Sequence, residues 1–292
     1  MPLSPNQRGA LFMTISQVAF TLSDTFVTLA AEGAGVGQII VVRGIMATTL
    51  VVLLARWLGH MRTVSIAAHP MVMVRVAGEA GATVFYLIAL AHLPIANVSA
   101  VFQSLPLAVT MGAALFLGEK VGPRRWLAIS IGFIGIMLIV RPGMDGFNTY
   151  SLYVLVCVLF CTIRDLATRL VPDHIPSMFI SMLTSGAVTA CGVLIIPFTG
   201  GWQPVTPSLL ALLATAAVMV LTGYQFIINS MRVGDISFVA PFRYSNLLWA
   251  IFIGILVFGD MPDGLTMLGS AIVVGSGLYS LYRERITGRS RL

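Results

Sequence analysis

The chain has 292 residues, of which 58% are hydrophobic and only 10% charged, with a net charge of +6. Soluble domains carry about 25% charged residues, so this composition excludes an ordinary water-soluble globule and puts apolar surface against lipid. The basic residues are scattered in short segments between apolar runs, which argues for a topology signal and against a nucleic-acid surface.

A helix crosses a bilayer with about 20 mainly apolar residues. The first such run, 9–31, exceeds the apolar core of about 7–15 residues found in cleavable leaders, so it is expected to remain as the first span. Nine more follow at 37–55, 70–91, 95–117, 125–141, 150–170, 177–198, 207–230, 236–258 and 264–282. The connections are short and leave no room for a soluble domain. The three cysteines, Cys157, Cys161 and Cys191, lie inside apolar runs without His or acid at ligand spacing. They read as small packing residues, with neither a disulfide framework nor a metal site expected. The sequon Asn97-Val98-Ser99 falls at a helix start and is discounted.

Orientation follows from the Lys/Arg asymmetry. With the N-terminus inside, the inside segments carry Arg8, Arg56, Arg62, Lys120, Arg124, Arg125, Arg169, Arg232 and the tail residues Arg283, Arg285, Arg289 and Arg291, whereas the outside segments carry only Arg141. Both termini are therefore expected in the cytoplasm, which requires an even number of spans.

The chain also repeats itself. Asp24 corresponds to Asp165, Ala100-Val101-Phe102-Gln103 to Ala240-Pro241-Phe242-Arg243, Leu117-Gly118-Glu119 to Phe258-Gly259-Asp260, and Tyr86 falls near Tyr224. The offsets are nearly constant, and the halves, 1–142 and 149–285 with a basic tail at 286–292, hold five spans each. An odd number of spans per half forces opposite orientations, the inverted repeat common among secondary transporters. The expected fold is all-α and polytopic: ten transmembrane helices as two inverted five-helix repeats.

From Ala91 to Gly135 the chain reads Ala91-His92-Leu93-Pro94, Leu105-Pro106-Leu107, Phe116-Leu117-Gly118-Glu119-Lys120, then Trp126, Gly132 and Gly135. This resembles the EamA module of the drug/metabolite transporter superfamily: a small-residue helix with a mid-helix Pro, a terminal Leu-Gly-Glu and a Gly-rich closing helix. The second half keeps Phe258-Gly259-Asp260, Gly269, Gly275 and Gly277, but has Asn246 where the mid-helix Pro is expected, with Pro241 earlier. Within the superfamily the chain looks similar to bacterial amino-acid exporters of the YddG type. The resemblance implies alternating access around a central cavity in a bacterial inner membrane, without a soluble ATPase domain.

Ionisable groups at membrane depth are costly and mark function by default. Arg75 and Glu79 lie one turn apart and are expected to pair, either as a structural ion pair or with Glu79 as a proton site or gate. Asp24 is matched with Arg43 as a packing partner and is the second proton candidate. Arg243 lies beside Pro241, which removes a backbone hydrogen bond and should bend the helix. A cation at such a break can hold a substrate carboxylate or bind backbone carbonyls. Gln103 is its neutral repeat mate. Tyr86, Tyr224, Tyr244, Asn246 and Trp249 are candidates to line the pocket, although aromatic residues serve equally in helix contacts and at interfaces. Gly78, Gly81, Gly132, Gly135, Gly275 and Gly277 are read as helix-packing positions.

The expected partners are the bilayer and a small molecule, amino acids or related metabolites to be exported, with non-amino-acid metabolites or drugs as the alternative. Protons are a candidate coupling ion, no cofactor, metal or nucleic acid is expected, and the chain is read as a monomer or weak homo-oligomer. A membrane-embedded enzyme would need a nucleophile–base pair or metal ligands at depth, and no His-Glu-x-x-His occurs; His60, His69, His92 and His174 fall at helix ends or loops. A phosphate-binding loop ending in Gly-Lys-Ser/Thr is also missing from the sequence, which excludes a built-in ATPase of that kind. A channel stays open as a third class.

Overall fold

A computed structural model describes residues 3–57, 69–118, 121–142, 148–172, 175, 177–233 and 239–289. His60, Arg62, Glu119, Lys120, His174 and Arg291 lie outside the described residues, as do the side chains of Arg169, Arg232, Arg283, Arg285 and Arg289. Among the described residues the chain is helical, without strands. The helices are α1 Pro5–Ala31, α2 Val36–Trp57, α3 Pro70–Leu90, α4 Ile95–Phe102, α5 Leu105–Phe116, α6 Pro123–Val140, α7 Tyr150–Arg169, α8 Ser177–Ile195, α9 Pro207–Val233, α10 Ser245–Ile253 and α11 Gly264–Arg289. Nine helical stretches in the described residues are long and apolar enough to cross a membrane, with α4 and α5 counted as one; a shorter apolar stretch, Met182–Phe198, stands at the seventh expected position. The last helix continues through Arg289, past the expected end at 282 and into the segment read as a tail.

Local chemistry explains the helix starts. Ser4 and Gln7 form a reciprocal capping box ahead of Pro5, with Gln7 Oε1 accepting from the Ser4 N–H at 2.9 Å and Ser4 Oγ accepting from the Gln7 N–H at 3.3 Å. His69 Nδ1 accepts from the Met71 N–H at the start of α3, Asn148 Oδ1 from Tyr150 before α7, and Thr206 Oγ1 from Leu209 before α9. Pro70, Pro123 and Pro207 occupy first helical positions, where the missing N–H costs nothing. The repeated Leu-Gly-Glu and Phe-Gly-Asp motifs have a common cause. Gly118 and Gly259 both take left-handed backbone, with φ of +67° and +71°, where a side chain would be strained.

The helices form two compact units, and neither coincides with a sequence half. The first comprises 1–25, 93–152 and 219–292; the second comprises 26–92 and 153–218. The boundary falls inside α1, inside α9 and within the first turn of α7.

Within the first unit, α6 and α11 pack backbone to backbone. A Cβ on Gly135 would lie 2.9 Å from the Gly269 carbonyl oxygen, and one on Gly269 2.6 Å from the Gly135 oxygen. Gly277 accommodates the Tyr244 hydroxyl, and Gly132 accommodates Leu107 and Ser276. Gly275 is a correction to the packing expectation: it is exposed, and a methyl group there would meet nothing within 4 Å. The start of α1 is fastened to the end of α9 by Ser16 Oγ donating to the Gly223 carbonyl at 2.8 Å and Ser230 Oγ donating to the Gly9 carbonyl at 2.7 Å.

Within the second unit, α2 lies along α8. Gly44 faces Thr189, Gly192 faces Ile40, and Thr48 shares a 2.7 Å hydroxyl hydrogen bond with Ser185. Gly78 and Gly81 let α3 lie directly on Phe160 and Arg164 of α7. Lipid supplies no hydrophobic drive between helices, so close contact and interhelical hydrogen bonds, each about 0.6 kcal/mol on average, hold such units together.

Candidate functional site

The fourth and ninth spans, both in the first unit, are interrupted. Pro106 cannot donate to the carbonyl of Phe102 four residues earlier, and its ring crowds that carbonyl; α4 ends at Phe102 and α5 begins at Leu105. The intervening turn is tight, with the Ser104 N–H donating to the Val101 carbonyl and the Leu107 N–H to the Ser104 carbonyl, both at 3.0 Å. In the ninth span, Pro241 sits in a 3-10 turn, Ala240–Tyr244, which leads into α10 and then a π-helical stretch, Gly254–Phe258. Arg243 is thus in the 3-10 turn rather than inside an α-helix.

The two interruptions touch. Buried Gln103 donates from Nε2 to the Tyr244 carbonyl at 3.4 Å, a long hydrogen bond. Asn246, at the first turn of α10, donates from Nδ2 to Thr21 Oγ1 at 3.1 Å, and Thr21 in turn donates to the Gln17 carbonyl. Gln17, Thr21, Gln103 and Ser104 are buried. Among the described residues, the Ser104 hydroxyl, the Tyr244 hydroxyl and the Trp249 indole N–H are buried without a hydrogen-bond partner. Buried polar groups are normally paired, so three unpaired donors on these two spans give this region unused hydrogen-bonding capacity.

Arg243 and Asn246 are half-buried, whereas Tyr244 is buried, with its hydroxyl against Gly277. Tyr224 is 47% exposed on α9, its ring edge-on to Phe20 at 5.2 Å. Trp249 stands edge-on to Phe252 at 6.4 Å. Asp24 is half-buried in α1 of the first unit; Arg43, Glu79 and Tyr86 are half-buried in the second.

Glu79 differs from expectation in its partner. Its Oε2 accepts from Arg164 Nη1 at 3.1 Å, and Arg164 Nε donates to Asp165 Oδ1 at 2.8 Å. Arg75, the expected partner, donates to Thr184 Oγ1 at 2.9 Å on α8. The i,i+4 spacing made Arg75 available, but Gly78 brings α7 so close that Arg164 reaches the carboxylate instead. Thr21, Ser104 and Thr184 were not singled out by sequence, since lone hydroxyl residues in apolar helices carry no distinguishing pattern.

The model of the EamA-like transporter family matches residues 7–141 and again 148–282. The chain belongs to the EamA-like transporter family. This EamA-like protein is 32% identical over 280 residues to a riboflavin transporter of Vibrio cholerae, covering 91% of this chain and 90% of the relative. It is 28% identical over 284 residues to a pseudopaline exporter of Pseudomonas aeruginosa, covering 94% and 96%. A third relative, an S-adenosylmethionine uptake transporter of Rickettsia felis, is 28% identical over 197 residues, 66% of this chain and 65% of the relative. A solved crystal structure shares the fold with a TM-score of 0.65 at 18% identity, covering 95% of this chain and 98% of that one. The EamA-like protein is a multi-pass membrane transporter, with transporters, not enzymes, as its named relatives.

Proposed function

We propose that this chain is a secondary transporter that carries a small organic metabolite across a bacterial inner membrane by alternating access, with both termini cytoplasmic. The observation that carries the reading is the pair of helix interruptions at equivalent positions of the two family modules, Gln103 in one and Arg243 in the other, joined through the Tyr244 carbonyl. Discontinuous helices at membrane depth are how secondary transporters present polar backbone and side chains to a substrate. The direction of net flux then follows the gradients.

Riboflavin is the first substrate to test, because the riboflavin transporter relative is 32% identical along 91% of the chain, against 28% for the pseudopaline exporter and the S-adenosylmethionine uptake transporter. Amino acids or their derivatives are the second reading. Arg243 at a helix break suits a carboxylate, and S-adenosylmethionine, carried by another relative, is itself an amino-acid derivative.

The test is counterflow in proteoliposomes loaded with unlabelled compound and offered the labelled one. Exchange of riboflavin that is unaffected by amino acids would establish the first reading. Exchange of an amino acid that falls at least tenfold in Arg243→Ala, with protein amount in the vesicles unchanged, would establish the second. No exchange with either class would overturn both.

A further inference from the structure

We infer that Arg75 and Glu79 on α3 bind the two ends of a zwitterionic α-amino acid or amino-acid derivative, the carboxylate on Arg75 and the ammonium on Glu79. The starting point is two opposite charges that do not meet. One turn apart on one helix face, their Cβ atoms stand about 5–6 Å from each other, yet each side chain is turned to a different helix. Arg75 Nη1 donates to Thr184 Oγ1 on α8 at 2.9 Å, and Arg164 Nη1 on α7 donates to Glu79 Oε2 at 3.1 Å. Each contact uses only part of the group, because a guanidinium has several donors and a carboxylate accepts on both oxygens. Among the described residues, Arg75 Nε and Nη2 and Glu79 Oε1 have no hydrogen-bond partner. None of the three is among the buried unpaired atoms, so all are accessible.

Position and support fit a binding role. At 1.5 Å per residue, Arg75 and Glu79 lie about 8 and 14 Å along α3 from Pro70. Accessible charges at such depth face a water-filled route rather than lipid. Thr184 is buried, and its hydroxyl donates to the Ile180 carbonyl at 2.7 Å, which leaves its lone pairs to hold the Arg75 guanidinium.

Charge selects the ligand class. Arg164 also donates to Asp165 at 2.8 Å, Ser177–Ile195 on α8 has no acidic or basic side chain, and Arg43 on α2 has an interaction of its own. Arg75 and Arg164 therefore balance Glu79 and Asp165. A ligand that is only an anion, or only a cation, would leave this group of four with a net charge at membrane depth, which is costly. A zwitterion keeps the balance while it brings a carboxylate to the Arg75 fork and an N–H donor to Glu79 Oε1.

The inference rests on the amino-acid reading of the transported substrate and places a contact in the second unit, apart from Arg243. It is tested by binding, without transport. Purified protein is titrated calorimetrically with the standard amino acids and with S-adenosylmethionine, the compound carried by one relative. At least one should bind, and its carboxamide and its N-acetyl form should each bind about tenfold more weakly or worse. Arg75→Gln should weaken the zwitterion to the same degree but the carboxamide by less than about threefold, and Glu79→Gln should do the same with the N-acetyl form spared. A merely structural pair would not give that crossed pattern. In the wild type, where no variant has to fold, bound ligand should protect Arg75 from phenylglyoxal, read by mass spectrometry. No binding by any probe, binding indifferent to loss of either ligand charge, or Arg75 that reacts no differently with ligand present would overturn the inference. Binding that needs the carboxylate but survives Arg75→Gln would also overturn it and leave the amino-acid reading standing. The crossed pattern without counterflow would instead sink the transport reading and leave the site.

Discussion

Arg141 shows how one residue can be placed by backbone and charge together. It ends α6 in left-handed backbone, with φ of 52°, and its Nε donates to the Leu138 carbonyl at 3.3 Å. Its guanidinium also pairs with Asp263 at the start of α11. The Arg141 hydrogen bonds, aided by the Thr266 N–H, hold the Asp263 carboxyl down at about 2 from an ordinary 3.8. A depressed acid stabilises the fold above its unfolded value and loses that contribution as pH falls through the folded one. Thermal stability should therefore drop between about pH 4 and pH 2 in the wild type, with a smaller drop in Asp263→Asn. Above pH 5 the variant should lose at most about 1 kcal/mol, because Asp263 is largely exposed. A melting series against pH checks both; equal acid sensitivity in the two proteins would exclude this link. At the same scale Gln38 acts as a substitute backbone. Its amide donates to the Gln203 carbonyl at 2.8 Å and accepts from the Gln203 N–H at 2.9 Å, satisfying both polar groups of a turn that has no sheet or helix of its own.

At the scale of elements, glycines and prolines set helix proximity and continuity. Gly135 and Gly269 meet with no room for a side chain, so Gly135→Leu should cost at least about 1–3 kcal/mol by overpacking and separate α6 from α11. Gly275→Ala, only a few turns away on α11 and facing open space, should instead be neutral or gain up to about 1 kcal/mol from helix propensity. Denaturation of the two variants in one detergent tests the contrast, and equal loss in both would remove the packing explanation. The repeat of Gly-rich closing helices was legible in the sequence, but which glycine faces a neighbour depends on helix rotation. The same limit applied to Glu79: the chain supplied the nearby Arg75, while the close approach of α7 selected Arg164. The interruptions at Pro106 and Pro241 were readable because a proline always lacks its N–H. Their junction through Gln103 was not, since it joins residues 141 positions apart.

At the scale of the whole molecule, Lys/Arg asymmetry gives a topology that can be checked directly. A fluorescent protein fused after Leu292 should fold and fluoresce, and alkaline phosphatase fused there should stay inactive. The reverse result would place the C-terminus outside and, with the N-terminus inside, require an odd number of spans. The compact units divide the chain differently from its repeats: each takes segments from both family modules, and α1, α7 and α9 contribute to both units. The sequence by itself determined the membrane class, the positions of the helices, the repeated motifs and the family resemblance. Each rests on composition or local spacing, which water and lipid act on residue by residue. Only the tertiary structure decided which helices share a unit, which buried polar groups stay unpaired and which arginine neutralises Glu79. Those depend on how each helix is rotated and how closely it approaches its neighbours, and packing over the full chain sets both.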